Sequence, residues 1–204
     1  MLNRYARGFF TRLFTPLARF LVRLGVTPDA VTIVGTAGAV AGALVLYPLG
    51  QLFWGTLFIT VFIFSDVVDG IMARLPESAT GGDGRWGNFL DSTLDRVADG
   101  AVFAGIMIWF FTGGSNVAIG VAAALCLLTG SLVSYARAKA ESLGFDANTG
   151  VAERAERLVL ALTFTGLTGL GLSEWVLFSV LAVLSVASGF TVAQRIQRVR
   201  TQAR

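Results

Sequence analysis

Residues 65–100 carry Asp66, Asp69, Asp91, Asp95 and Asp99 between two uncharged apolar runs, 52–64 and 101–111. No other feature constrains the fold as strongly. The flanking runs suit a bilayer, and acids pressed against such segments are costly enough that they usually mark function. The chain as a whole is 54% hydrophobic and 14% charged, with a mean hydropathy of +0.70. Soluble domains carry roughly 25% charged residues, so lipid is the expected solvent and a single membrane domain over residues 1–204 the expected organisation. Histidine is absent and Cys126 is the single cysteine. Acid–base and metal chemistry therefore falls to carboxylates, Cys126 reads as a packed core thiol, and no disulfide framework is available.

Residues 1–26 read as an amphipathic juxtamembrane segment. Arg4, Arg7, Arg12, Arg19 and Arg23 stand among Phe, Leu and Val, as suits a helix lying in the headgroup plane. Pro16 is expected to break or kink it, and no cleaved signal peptide is expected. Thr27, Pro28 and Asp29 make a helix start: a capping hydroxyl, a proline at the first helical position and an acid in the first turn. The uncharged run 30–49 supplies the roughly 20 residues a span needs. Further helices are expected over 52–74, 87–111, 117–143, 153–170 and 174–200, with a loop over 75–86 marked by Pro76, Gly81, Gly82 and Gly84. The predicted fold class is thus an all-α integral membrane protein. Six transmembrane helices within 27–200 follow an N-terminal amphipathic interfacial helix. The connections 47–51, 112–116 and 169–174 contain no Lys or Arg. The 16 basic residues instead fall in the N-terminal segment, around the two longer loops, in the tail, or at Arg96 beside the acids. The positive-inside rule then places both termini and the acidic stretch on the cytoplasmic side of the cell membrane.

On helical geometry Asp66 and Asp69 are i,i+3 neighbours, and Gly87, Asp91 and Asp95 form an i,i+4 column on the next helix. Gly70, Ala73 and Gly87 are small residues at which the two helices could approach closely. Four unpaired carboxylates at bilayer depth would cost on the order of 10 kcal/mol, at roughly 3 kcal/mol each. Without His or Cys, their natural partner is a hard cation held through oxygen, Mg²⁺ or Mn²⁺. The plainer reading, solvated helix ends paired with Arg74, Arg85 and Arg96, suits one such acid better than four in register. Asp99 continues the column and reads as a pairing or bundle residue. A divalent-cation transporter is the rival from another class. It predicts acids along a path through the bilayer, whereas these gather at one edge.

The pattern Asp66-x-x-Asp69-Gly70-x-x-Ala73-Arg74 followed by Gly87-x-x-x-Asp91-x-x-x-Asp95 resembles the motif of the CDP-alcohol phosphotransferase family at eight fixed positions. The spacer between Arg74 and Gly87 is longer than the family pattern usually has. The resemblance implies six transmembrane helices, a homodimer, two metal ions, and attack of an alcohol on a CDP-linked lipid with release of CMP. Carried over by residue, it implies that Asp66, Asp69, Asp91 and Asp95 hold the metals, with Asp95 also the general base. Gly70, Ala73 and Arg74 would contact the cytidine diphosphate. The Thr27–Pro28–Asp29 segment, similar to one that lines the nucleotide site in related sequences, nominates Asp29, Ala30, Val31 and Thr32 at a helix N-terminus suited to an anion.

Ser134, Tyr135, Arg137 and Glu141, then Glu153, Arg154, Glu156 and Arg157, then Gln194 and Arg195 resemble the actinobacterial phosphatidylinositol phosphate synthases over nearly the whole chain. That resemblance implies CDP-diacylglycerol and myo-inositol phosphate as substrates. It assigns Ser134, Arg137, Arg154, Arg157 and Arg195 to the acceptor phosphate. Physically, these arginines come from helix ends on one membrane face and could form one cationic pocket for a phosphorylated acceptor. The same charges also serve as topology signals beside anionic headgroups, the reading preferred for Arg198, Arg200 and Arg204. Glycerol 3-phosphate is the rival acceptor. The partners expected are the two substrates, membrane lipid and a second copy of the chain, with no nucleic acid.

Overall fold

The computed structural model describes residues 2–75 and 84–204, with side chains from residue 13 onward. Pro76, Gly81 and Gly82, and the side chains of Arg4, Arg7 and Arg12, lie outside the described residues. Eight α-helices occupy the described chain: α1 Leu2–Arg23, α2 Pro28–Ala41, α3 Leu52–Ile63, α4 Ser65–Met72, α5 Arg85–Thr112, α6 Val117–Ser142, α7 Arg154–Gly169 and α8 Glu174–Gln202. No strand occurs among the described residues. Among the described residues, four helical segments are long and apolar enough to cross a membrane: Pro28–Leu46, Leu52–Met72, Val117–Ser142 and Glu174–Gln202. Their outward side chains agree, with Val34, Trp54, Val61, Val186 and Phe190 all exposed.

The chain divides into two compact units, Met1–Ala41 with Phe58–Ala98, and Gly42–Leu57 with Asp99–Arg204. In the first unit α1 and α2 pack on α4. Ala18, Val68, Ile71 and Met72 form its buried centre, with Phe14, Leu21, Val22, Val31 and Leu75 packed around them. Pro16 lies inside α1 without ending it, so the break expected there does not occur. A second apolar stripe on α1, Leu13, Leu17, Phe20 and Leu24, faces outward and is exposed. At the start of α2 the Thr27 hydroxyl accepts the Ala30 N–H at 3.2 Å, the cap expected from sequence.

The single helix expected over 52–74 is instead two, α3 and α4, joined at Phe64. Ser65 Oγ donates to the Phe62 carbonyl at 2.6 Å, and Val67 N–H bonds Phe64 O at 3.1 Å in a tightened turn. A serine that bonds back to the preceding turn competes with the helical ladder and bends it. Close approach in this unit falls at Gly35 of α2, where an added Cβ would collide with Ser65. It does not fall at Gly70 or Gly87 as expected. Among the described residues, an added Cβ at Gly70 would meet Arg74 alone, and one at Gly87 Asp29 alone.

In the second unit α8 packs along α6 and α7. Val102, Ile106, Phe110, Ile119, Cys126, Leu177 and Leu181 are buried there. The chain leaves α2 through a π-helical turn, Gly42–Leu46, and the buried Tyr47 shares a hydrogen bond with Thr56 at 2.8 Å. The Cys126 thiol donates to Leu181 O at 3.1 Å, as befits a core thiol.

Candidate active site

The acids of the first unit stand on two helices. Asp66 and Asp69 are on α4, and Asp91 and Asp95 are on α5. Asp69 is 6% exposed, and its carboxylate lies within electrostatic reach of those of Asp66 and Asp91. The buried Thr32 hydroxyl, from the first turns of α2, donates to Asp69 Oδ2 at 2.5 Å. A residue expected at the nucleotide thus touches a residue expected at the metal. Asp95 lies beside Arg96, 3.4 Å between Nη2 and Oδ2, and is mostly buried. Arg74 folds back so that its Nε donates to the Gly70 carbonyl at 2.6 Å. Ala73 ends α4 with its N–H on Asp69 O at 2.8 Å. Asp29 receives the indole N–H of Trp86 at 2.9 Å. Ala30 is exposed and Val31 half-buried beside the α1–α4 core.

The donor set fits a hard divalent cation. It is made only of carboxylate oxygens, it includes a buried member facing two like charges, and the chain offers no imidazole as competitor. Among the described residues, no three acidic, His or Cys side chains already stand together at metal-binding separation.

In the second unit, four of the five acceptor candidates gather around residues 130–137 of α6. Ser134 Oγ bonds back to Gly130 O at 3.3 Å. Arg157, 2% exposed, lies over Gly130 and donates to Ala152 O at 2.9 Å. Arg195, 3% exposed, donates to Val133 O at 2.6 Å and to Thr149 O at 2.9 Å. Arg137 is within electrostatic range of Arg195 and pairs with Glu141 at 2.8 Å on the helix surface. Arg154, at the start of α7, instead pairs with Asp99 of α5.

A model of the CDP-alcohol phosphatidyltransferase family matches residues 25–194. The chain belongs to this family. It is 50% identical to the phosphatidylinositol phosphate synthase of Streptomyces avermitilis, over all of this chain and 84% of that protein. It is 42% identical to that of Cutibacterium acnes, over 98% of each chain. Among solved structures, it resembles the Mycobacterium tuberculosis phosphatidylinositol phosphate synthase with CDP-DAG bound. The TM-score is 0.85 at 41% identity, over 92% of this chain and 94% of that one. The same relative solved with manganese and citrate also gives a TM-score of 0.85. As a family member the chain is a CDP-alcohol phosphotransferase, and divalent metal belongs to the family's chemistry.

Some residues that shape these groupings are not legible in the family motif. Gly130 gives Arg157 its bed, with an added Cβ only 3.3 Å from Nε. A row along α8, Thr191, Arg195, Arg198 and Gln202, grips the loop before α7. The Thr191 hydroxyl accepts the Val151 and Ala152 N–H groups at 3.2 Å, Arg198 pairs with Asp146 at 2.8 Å, and Gln202 bonds the Asp146 backbone at both its N–H and its carbonyl. Arg198 is therefore more than the topology charge expected from sequence. The i,i+4 and i,i+3 spacing along α8 is visible in the sequence, but its loop partner is not.

Proposed function

We propose that the chain is a phosphatidylinositol phosphate synthase, transferring the phosphatidyl group of CDP-diacylglycerol to myo-inositol phosphate and releasing CMP. The observation that carries the acceptor is the gathering of Ser134, Arg137, Arg157 and Arg195 around one stretch of α6. Several guanidinium groups around one polar side chain suit a phosphorylated alcohol and offer nothing to serine's carboxylate that a phosphate would not use better. The names of the Streptomyces avermitilis and Cutibacterium acnes relatives support the same reading.

In this reading Asp66, Asp69, Asp91 and Asp95 hold two divalent cations, Mg²⁺ or Mn²⁺. When bound, such ions supply Lewis-acid stabilisation of the pyrophosphate and of the departing CMP. Thr32 orients Asp69 through its hydroxyl, while Asp29, Ala30, Val31, Gly70, Ala73 and Arg74 bind the cytidine diphosphate. The Asp95 carboxylate takes the proton of the attacking inositol hydroxyl as the new ester bond to the phosphatidyl phosphorus forms. Arg137, Arg154, Arg157, Arg195 and Ser134 hold the acceptor phosphate.

The architecture belongs to the same proposal. The catalytic domain runs over residues 1–204, supported by a family match that spans both units. α5 and α7 bring the spans to six, because residues 101–111 of α5 are uncharged and α7 is apolar after Arg157. α1 lies in the interface plane, a reading supported by the exposed stripe Leu13, Leu17, Phe20 and Leu24. Basic residues cluster on the cytoplasmic side of the cell membrane with both termini, and the enzyme works as a homodimer.

Purified protein given CDP-diacylglycerol, Mg²⁺ and, separately, radiolabelled inositol phosphate, glycerol 3-phosphate, serine or free inositol should form lipid product only with inositol phosphate. Product from glycerol 3-phosphate alone would overturn the acceptor. Asp95→Asn should lose turnover while keeping its fold, and retained turnover would remove Asp95 as the base.

A further inference from the structure

Arg154 opens α7 directly after its N-cap Glu153, whose N–H the Glu156 side chain accepts at 2.6 Å. Its Nε donates to both carboxylate oxygens of Asp99, at 3.0 and 3.3 Å. The two side chains are 27% and 14% exposed. Asp99 follows the last aspartate of the motif by four residues, and the motif gives it no role. A charge-assisted bond between a guanidinium and a largely buried carboxylate is shorter and stronger than a neutral one. Bonding through Nε also fixes the plane of the guanidinium about its own stem, because the fork is rigid and planar. The neighbouring arginines are held in the same manner, Arg157 by Ala152 O and Arg195 by Val133 O and Thr149 O. Each of these three cations is thus oriented by a fixed acceptor, local for Arg157 and distant in sequence for Arg154 and Arg195. For Arg154 that acceptor is a charged side chain.

We infer that Asp99 is a positioning residue for the phosphorylated acceptor, holding the Arg154 guanidinium in the orientation that meets the acceptor phosphate. The inference rests on the inositol phosphate reading and adds to it a residue that never touches substrate. Its physical content is preorganisation. Removing Asp99 takes away the charged acceptor that fixes the plane of the Arg154 guanidinium, so affinity for the acceptor falls while the chemical step is largely spared.

The test uses the full chain in bilayer nanodiscs, with kcat and the KM of each substrate measured separately and a thermal melt run on every variant. Asp99→Asn should raise the KM for inositol phosphate roughly 10- to 100-fold, the range lost with a hydrogen bond to a charged group. The KM for CDP-diacylglycerol should stay unchanged. Asp99→Glu should restore much of the loss, because a carboxylate is kept. In the double variant Asp99→Asn/Arg154→Ala, the penalty should equal that of Arg154→Ala alone. Equal rises in both KM values, full additivity in the double variant, or no rescue by Asp99→Glu would each overturn the inference. Should the wild type prefer glycerol 3-phosphate, the inositol reading fails. The same KM split measured with glycerol 3-phosphate then decides the role of Asp99. If Asp99→Asn does not fold, Arg154→Lys decides the matter: with Nε lost and the charge kept, it should raise the acceptor KM alone, and an unchanged acceptor KM would overturn the inference.

Discussion

The Thr32 hydroxyl donates to Asp69 Oδ2 at 2.5 Å, joining the start of α2 to the acidic helix α4 across 37 residues of sequence. Removing this donor while keeping the side-chain shape, as in Thr32→Val, should leave the fold intact and loosen Asp69. The Mg²⁺ or Mn²⁺ concentration for half-maximal CMP release should rise roughly 10- to 100-fold, the usual consequence of losing an outer-shell partner of a metal ligand. Thr32→Ser should behave like the wild type. An unchanged metal titration for Thr32→Val would show that the bond does not serve the metal.

Asp69 is buried against the like charges of Asp66 and Asp91. Asp69→Asn removes that repulsion yet keeps an acceptor for Thr32. In chelator it should therefore melt higher than the wild type by about 2–4 °C, the shift that about 1 kcal/mol produces in a chain of this size. Turnover should fall at least roughly 100-fold. A lower melting temperature in chelator would show that the acids do not strain the metal-free protein.

Gly130 lies under Arg157, where an added Cβ would stand 3.3 Å from Nε and 3.6 Å from Cζ. Arg157 is pinned by Ala152 O and is 2% exposed, so it has little room to give. Gly130→Ala should cost about 1–3 kcal/mol by overpacking and raise the acceptor KM, while Ser131→Ala on the exposed neighbouring position should do neither. Melts and steady-state kinetics on the two variants distinguish them.

The loop before α7 hangs on Asp146. The Asn148 backbone N–H and the Arg198 guanidinium hold its carboxyl below the ordinary range. A group whose folded value is depressed contributes fully above its unfolded value, near about 3.9, and loses that contribution as pH falls through the folded value. Loop protection should thus be flat from neutral down to about pH 5 and fall away in stronger acid. Asp146→Ala at neutral pH should reproduce the acid state, seen as faster hydrogen exchange of residues 146–152. Because Asp146 and Arg198 are both exposed, high salt should weaken the clamp in the wild type.

Much of the fold and of the site is readable without coordinates. The apolar runs, the helix start at Thr27–Asp29 and the ends of α6, α7 and α8 are local signals, and they fall within a few residues of their expected places. The break at Phe64 is not readable, because nothing local distinguishes a serine that bonds back to Phe62 from one that faces outward. Gly70 and Gly87 carry the motif yet, among the described residues, are not where backbones meet. Contact falls at Gly35, in a helix that composition marks only as apolar. Arg195 is legible as a cation but not as a buried one tied to two carbonyls.

The sequence by itself determined the membrane class and the helical faces on which the acids stand, because hydropathy and i,i+4 spacing act within a few turns of one chain segment, and its motif carried the family. Only the tertiary structure decided which group holds which: Thr32 on Asp69, Asp99 on Arg154 and Thr149 on Arg195, separated by 37, 55 and 46 residues. The physical reason is that a buried charge must find a partner wherever packing places one, and packing between distant helices has no counterpart in local spacing.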